Sequence, residues 1–281
     1  MSALDLESRS LAQFDNLVES GELLWVETRP IYVRSETLNF QFRVAGSLKR
    51  KPRTSHLSTV ENAFADEDPR FSLGLYGGRH KLILNKYCVV RPQFVLHTVD
   101  FEPQRDALNG FDLGAARTVL CSLESSFMVI FNCGHDSGAS VGHKHLQIIP
   151  RPPPTEHELF PDRYISGQAG NAHQVPGIPF DHSVHAITAD TSGESLLQIY
   201  NDLRSSLRLG PEAPHNVILV REWMMVIPRS KAGNGMMSAN AAAMLGMVWV
   251  NSEEEYEAWV KHGPLNALLE FGVPRRELWH R

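Results

Sequence analysis

Only three cysteines occur in 281 residues, at positions 88, 121 and 133, an odd number with no Cys-x-x-Cys pairing. That argues against a disulfide framework and a cysteine zinc site, and fits a reducing compartment. Long apolar runs are missing too: the longest, residues 241–250, falls far short of the roughly 20 residues that span a bilayer. The N-terminal residues are charged and polar, without the positive, apolar and small-residue order of a secretory signal. Basic surplus is absent, the net charge being −5, so a broad nucleic-acid footprint is excluded and any basic function is local. No short-period repeat or low-complexity segment appears. The expectation is a soluble intracellular protein, cytoplasmic and with the nucleus also open to it, having neither nucleic acid nor membrane as partner.

What is present is ordinary for a globular chain, 42% hydrophobic and 21% charged, and long enough to bury a sizeable core. Apolar spacing predicts a helix over residues 4–24 stopped by Gly21, and a strand over 37–44. A polar, glycine-bearing surface loop is expected over 54–78, then a strand over 80–90 interrupted by Asn85 and Lys86. A short strand at 94–98, a helix at 114–126 and a strand at 127–131 lead into the glycine-rich stretch that follows. Beyond it come a mobile crossing at 165–180, a helix at 192–209, a hairpin at 216–231 and helix-rich segments from 240 onward. Hairpins beside separate helices favour an α+β fold with an antiparallel sheet.

Residues 132–150 read Asn-Cys-Gly-His-Asp-Ser-Gly-Ala-Ser-Val-Gly-His-Lys-His-Leu-Gln-Ile-Ile-Pro. Strand alternation puts His143, His145 and Gln147 on one face and Lys144, Leu146 and Ile148 on the other. A neutral imidazole is a competent nucleophile toward phosphorus near neutral pH. Gly134, Gly138 and Gly142 allow a loop that turns backbone amides toward an anion. Two other readings stay open: a metal pair with His135 or Asp136 as further ligands, or two structurally satisfied histidines. Likewise the cluster Lys49, Arg50, Lys51 is a solvated turn or a reach toward polyphosphate, and Arg229 and Lys231 are a strand exit or a site wall.

Several ordered blocks carry a resemblance: Lys51-Pro52, Leu84-Asn85-Lys86, Asn132 with residues 138–141, His-Lys-His-Leu-Gln at 143–147, and the hairpin at 216–231. Together they resemble the histidine-triad superfamily, in the branch of diadenosine tetraphosphate (Ap4A) phosphorylases, or ATP adenylyltransferases, related to galactose-1-phosphate uridylyltransferase. The resemblance implies a histidine-triad-like antiparallel sheet with flanking helices, extended by a C-terminal α+β portion. It divides the chain into an N-terminal helical segment at 1–36, a catalytic core at 37–160 and a C-terminal portion at 161–281 packed on that core as one compact unit.

By position in that motif His145 is the nucleophile, His143 holds its ring through the backbone, and Gln147 bonds the phosphoryl oxygens. Lys51, Asn85, Lys86, Asn132, Gly138, Ala139, Ser140 and Val141 are implied to contact nucleotide and polyphosphate, with Asn216, Met225 and Arg229 contributing from the C-terminal part. Several relatives carry Ser where Cys133 and Ala139 stand here, so one hydroxyl contact is expected to be missing or replaced by a backbone N–H. The implied reaction is phosphorolysis of a dinucleoside polyphosphate, Ap4A plus phosphate giving ADP and ATP, through a nucleotidyl-histidine, with a divalent cation such as magnesium riding on the polyphosphate. The alternatives are another donor, such as adenosine phosphosulfate or a nucleotide sugar, a non-catalytic dinucleotide sensor, or a metal-binding protein.

Overall fold

The structure, a computed structural model, describes residues 3–50, 64, 68–165 and 173–275. In chain order the elements are α1 (Ala3–Glu19), β1 (Ile31–Val33), β2 (Phe40–Val44), β3 (Ser72–Tyr76), β4 (His80–Leu84), β5 (Phe94–Thr98), α2 (Gly110–Ser122), β6 (Phe127–Cys133) and β7 (His145–Pro150). After these follow α3 (Asp162–Ile165), β8 (Ser183–Ala186), α4 (Gly193–Ser206), β9 (His215–Leu219), β10 (Trp223–Pro228), β11 (Met247–Val250), α5 (Glu253–His262) and α6 (Pro264–Phe271).

Eight strands form one antiparallel sheet in the order β3-β4-β5-β7-β6-β9-β10-β8. Because β9, β10 and β8 extend the edge begun by β6, the portion after residue 160 completes the sheet of the portion before it. A second sheet of three strands, β1-β2-β11, pairs β2 with β11 in parallel, joining residues 206 positions apart in sequence, such as Gln41 and Met247, without a hairpin.

Period-two alternation sorts the side chains of the large sheet into two cores. Leu146, Ile148, Val129, Phe131, Val217 and Leu219 face α2 and α4, together with Leu113, Leu120, Leu196 and Tyr200. Ile149, Met128, Ile130, Ile218 and Trp223 face the small sheet and the C-terminal helices, meeting Phe40, Phe42, Val248, Trp259 and Phe271. Trp259 and Phe42, both at 0% exposure, meet edge to face at 5.9 Å and lock α5 onto β2.

Four expectations are corrected. The segment before residue 37 is not purely helical, since β1 pairs with β2; its three residues, squeezed between Pro30 and Ser35, are too few to show alternation. Ser72–Tyr76 is a strand, disguised by Gly74, where a bulge shifts the register and φ is +133°. The helix α2 starts four residues early, because Asn109 accepts from Phe111 N and Asp112 N while Asp112 accepts from Asn109 N, a reciprocal cap. Residues 240–250 are a single 3-10 turn and then β11, turned by Gly246 at φ +81°, where a Cβ would lie 2.2 Å from Asn39 O. The expected crossing at 165–180 falls in part on 166–172, outside the described residues. Among the described residues no helix is long and apolar enough to cross a membrane, and all three cysteines are free.

Buried neutral histidines give the fold a pH dependence. His215 donates from Nδ1 to Ala213 O at 2.7 Å and its Nε2 meets Tyr200 Oη at 2.7 Å, while burial pushes its pKa down to about 4. His182 accepts from Val175 N at 2.7 Å, donates to Phe180 O and is pushed down to about 4 for the same reason. Below the unfolded value near 6.5 the unfolded chain binds protons that the folded chain refuses, so stability rises with pH and is lost as pH falls toward 4. Each of the two contributes about 3 kcal/mol at full effect. Urea unfolding across pH 7 to 5 is expected to show a steadily falling midpoint; a flat profile would show that these rings are not held neutral.

Candidate active site

The strand β7 starts at the motif histidine because residues 102–104 take the backbone bonds of the residues before it. Lys144 N donates to Glu102 O at 2.7 Å, and His143 bridges Pro103. Lys144 turns away from the histidines and is 2% exposed. Its ammonium meets Glu102 Oε2 at 2.7 Å and Asp112 Oδ2 at 3.3 Å, and Asp112 Oδ1 meets His80 Nε2 at 2.8 Å. Burial alone would neutralise both, raising the Asp112 pKa and lowering that of Lys144. The His80 bond and the Lys144 charge outweigh it for Asp112, and the two carboxylates outweigh it for Lys144, so each is held in its charged form.

On the opposite face His145, 7% exposed, lies in register with His97 of β5. Its Nδ1 stands 2.8 Å from His143 O. A carbonyl can only accept, so Nδ1 carries the proton and the neutral ring has its lone pair on Nε2. His143 is held in turn by Thr98, whose carbonyl and hydroxyl lie 2.8 and 2.9 Å from its Nε2, and burial pushes its pKa below the usual histidine range. Phe64 stacks on His97 with centroids 4.2 Å apart and meets His145 edge to face at 6.0 Å.

Gln147 points the same way as His145, and its amide orientation is set from a distance. Val89 N donates to Gln93 Oε1 at 3.0 Å, and Gln93 Nε2 donates to Gln147 Oε1 at 2.8 Å. Since the backbone N–H cannot reverse, each amide in the relay is oriented by the one before it, and Gln147 Nε2 becomes the donor available to a ligand. Asn85 is tied to this relay through its N–H, which donates to Gln93 O at 2.8 Å, while its side chain accepts from Tyr87 N. Lys86 is exposed next to it.

The glycine loop runs from Asn132 to Gly142. Gly134 and Gly138 have φ of +82° and +94°, and a Cβ at Gly138 would lie 2.5 Å from Ala239 O, so only glycine fits there. Ala139 is buried, Ser140 exposed and Val141 half-buried. Cys133, on the reverse face, meets Arg105 O at 3.2 Å and lies away from the histidines. Asn132 Oδ1 accepts from Asn216 Nδ2 at 2.9 Å and from Ala241 N at 2.8 Å, which turns its own Nδ2 into the remaining donor. His135 and Asp136, the further ligands of the metal reading, stand 67% and 54% exposed on a 3-10 turn. Among the described residues no group of three His, Cys, Asp or Glu side chains is placed to hold a metal.

Three expectations in the C-terminal part are corrected. Met225 is 0% exposed, between Ile218 and Val184 on neighbouring strands, and belongs to the packed core. Asn216, also at 0%, spends its carboxamide on Asn132, on Ser137 O at 2.8 Å and on Arg229 Nη1 at 2.7 Å. Arg229 uses all five of its N–H donors inside the protein, on Phe271 O, Ser137 O, Asn216 Oδ1, Lys231 O and Ala239 O. Burial pushes its pKa down to about 9, leaving it charged at neutral pH. Asn216 and Arg229 therefore brace the glycine loop from behind, with their side-chain donors spent inside the protein. Lys51 lies outside the described residues. Gln93, Thr98 and Phe64 escaped the sequence reading, because a strand glutamine or threonine and a lone loop phenylalanine carry no spacing signal.

An imidazole with its lone pair fixed on Nε2, beside amide donors and a glycine loop on an antiparallel sheet, defines a nucleotidyltransferase of histidine-triad type. Residues 2–164 match the Ap4A phosphorylase N-terminal domain and residues 176–274 the ATP adenylyltransferase C-terminal domain. The chain belongs to the Ap4A phosphorylase family. It is 30% identical over 285 residues to diadenosine 5',5'''-P1,P4-tetraphosphate phosphorylase 2 of Saccharomyces cerevisiae, covering 88% of each chain. The crystal structure of yeast Ap4A phosphorylase Apa2 in complex with Ap4A is similar at a TM-score of 0.83 and 27% identity, over 95% of this chain and 97% of that one. The structure of Apa2 in complex with AMP is similar at a TM-score of 0.83 and 28% identity, over 98% and 97%.

The bracing role of Arg229 is testable by Arg229→Lys, which keeps the charge but has three donors for five acceptors. Two lost charge-assisted bonds at about 1.5–3 kcal/mol each are expected to lower the unfolding free energy in urea by about 3–6 kcal/mol. A variant with parental stability and a raised KM would instead place the guanidinium on substrate.

Proposed function

We propose that this enzyme phosphorolyses Ap4A to ADP and ATP through an AMP group carried on His145. The observation that supports this most directly is the bond from His145 Nδ1 to His143 O, which leaves Nε2 as the nucleophilic nitrogen next to the glycine loop. In the first step Nε2 attacks the α-phosphorus, the bond to the bridging oxygen breaks, and ATP leaves. In the second, an oxygen of inorganic phosphate attacks the same phosphorus, the P–N bond breaks, and ADP leaves with the imidazole restored. The tautomer is regenerated without a separate base, because Nδ1 keeps its proton on His143 O throughout.

Charge on the equatorial oxygens is met by Gln147 Nε2 and Asn132 Nδ2 beside residues 140–141 of the glycine loop, since Gly138 N and Ala139 N are spent inside the loop on His135 O at 2.9 Å and Gly134 O at 3.4 Å, and Lys86 faces the rest of the polyphosphate. A carboxamide at 147 donates without titrating, so it steadies the intermediate but delivers no proton and draws none from water, which favours phosphate as acceptor. A divalent cation, magnesium by its preference for phosphate oxygens and water, travels with the polyphosphate. Three unpaired thiols and a nucleotide substrate suit a reducing compartment, the cytoplasm or the nucleus.

The decisive experiment is mass spectrometry after incubation with Ap4A and no phosphate. One AMP on His145 is expected, discharged as ADP when phosphate is added. His145→Ala is expected to lose both adduct and turnover, and full turnover in that variant would end the covalent reading. Adenosine phosphosulfate and nucleotide sugars, run as donors in parallel, are expected to label the enzyme far more slowly.

A further inference from the structure

The ladder between β6 and β7 ends at Ile130 opposite Gln147. Two residues further along the same antiparallel register Asn132 would stand opposite His145, yet these two residues do not pair with each other. The Gln104 carboxamide, in a residue 3% exposed, takes up the bonds that such a rung would have made. Its Oε1 accepts from His145 N at 2.7 Å, and its Nε2 donates to His145 O at 3.1 Å and to Asn132 O at 2.8 Å. The backbone of the same residue holds both ends of the glycine loop: Gln104 N donates to Gly142 O at 2.8 Å, and Gln104 O accepts from Gly134 N at 3.1 Å.

We infer that Gln104 is a positioning residue for the transfer: it forks β6 from β7, and so fixes the peptide of the nucleophile and the two ends of the glycine loop at one separation. The inference rests on the reading of His145 as nucleophile. A primary amide suits the task because it carries a donor and an acceptor side by side, as a peptide group does, and so imitates a strand that is not there. Asparagine is one methylene too short, and a carboxylate offers no donor. Were the two strands to zip together, the loop would be drawn toward the imidazole. Were they to splay, the loop would draw back from the group carried on the imidazole. A displacement of about 1 Å between reacting groups costs about 100-fold in rate.

The test is Gln104→Glu, which keeps the length and the acceptor facing His145 N but sets a carboxylate against two carbonyl oxygens. Such a buried carboxyl titrates well above the usual value of about 4.3. Once protonated it regains one donor, so acid restores part of what the substitution removes. At pH 8, kcat for Ap4A phosphorolysis and the rate of AMP loading on His145 are expected to fall about 10- to 100-fold, with KM changed less than about threefold. The ratio of variant to parental kcat is expected to climb as pH is lowered to 6. Gln104→Met, equal in length and without polar donors, is expected to stay slow at every pH, and carries the test through its kcat and KM if the glutamate variant does not fold.

Parental kcat in either folded variant overturns the role, and so does a loss that merely follows the folded fraction with no pH rescue. A parental enzyme that loads no AMP on residue 145 overturns the nucleophile reading itself. A parent and variants that load equally fast overturn Gln104 alone.

Discussion

Only the ring nitrogen of an imidazole that lacks a proton can act as a nucleophile, and for His145 one carbonyl decides which nitrogen that is. The 2.8 Å contact between His143 O and His145 Nδ1 commits the proton to the inner nitrogen and the lone pair to the outer one. The selecting group lies two residues upstream, so the reach between carbonyl and ring is fixed by the strand itself. That explains why His143 is buried and neutral: its ring is anchored on Thr98 so that its backbone stays where His145 needs it.

Around that contact the sheet carries a polar row where its neighbours carry core. His97 and His145 are in register on β5 and β7, and Asn132 and Asn216 on β6 and β9. All four belong to the face that two residues further along holds Ile130 and Ile218 in a packed interior. Buried amides and a buried guanidinium are tolerable only when satisfied, and this network runs from Asn132 to Asn216, from Asn216 to Arg229, and from Arg229 to carbonyls of the loop and the C-terminal segment, with Asn132 Nδ2 as its outlet toward the site. The C-terminal portion thus gives the site its rear wall. Its hydrogen bonds give the glycine loop mechanical support from behind.

This explains which features were legible in the sequence. The face shared by His145 and Gln147, the helices α1 and α4 and the hairpin of β9 and β10 follow from periodicities of 2 and 3.6, which a linear chain displays openly. So do Gly134 and Gly138, since a loop that must turn left-handed has few other residues to use. What stayed hidden depends on residues distant in sequence. Gly74 disguised β3 because a bulge breaks alternation, and β1 was too short to alternate at all. Arg229 and Asn216 sit where a substrate contact was expected, and nothing local distinguishes an arginine that reaches a phosphate from one that spends five donors on carbonyls. Met225 misled for the opposite reason: an apolar residue on a buried strand is core unless the strand is open on that face, and here the small sheet and the C-terminal helices cover the face.

The relay that ends at Gln147 shows how the fold fixes a polarity that the side chains alone would leave open. A primary amide presents nearly identical outlines when rotated by half a turn, so a glutamine at a site is equally able to offer a donor or an acceptor. Gln147 has no such freedom, because its oxygen is taken by Gln93 Nε2, and Gln93 is oriented by the N–H of Val89. A backbone N–H has one polarity only, and it propagates through both amides to the phosphoryl pocket. With a histidine at 147 the relay would end in a titrating group, able to hand a proton to a leaving group and to take one from water. Ending in an amide, it gives a donor that does not titrate near neutral pH, which suits the transfer proposed for His145.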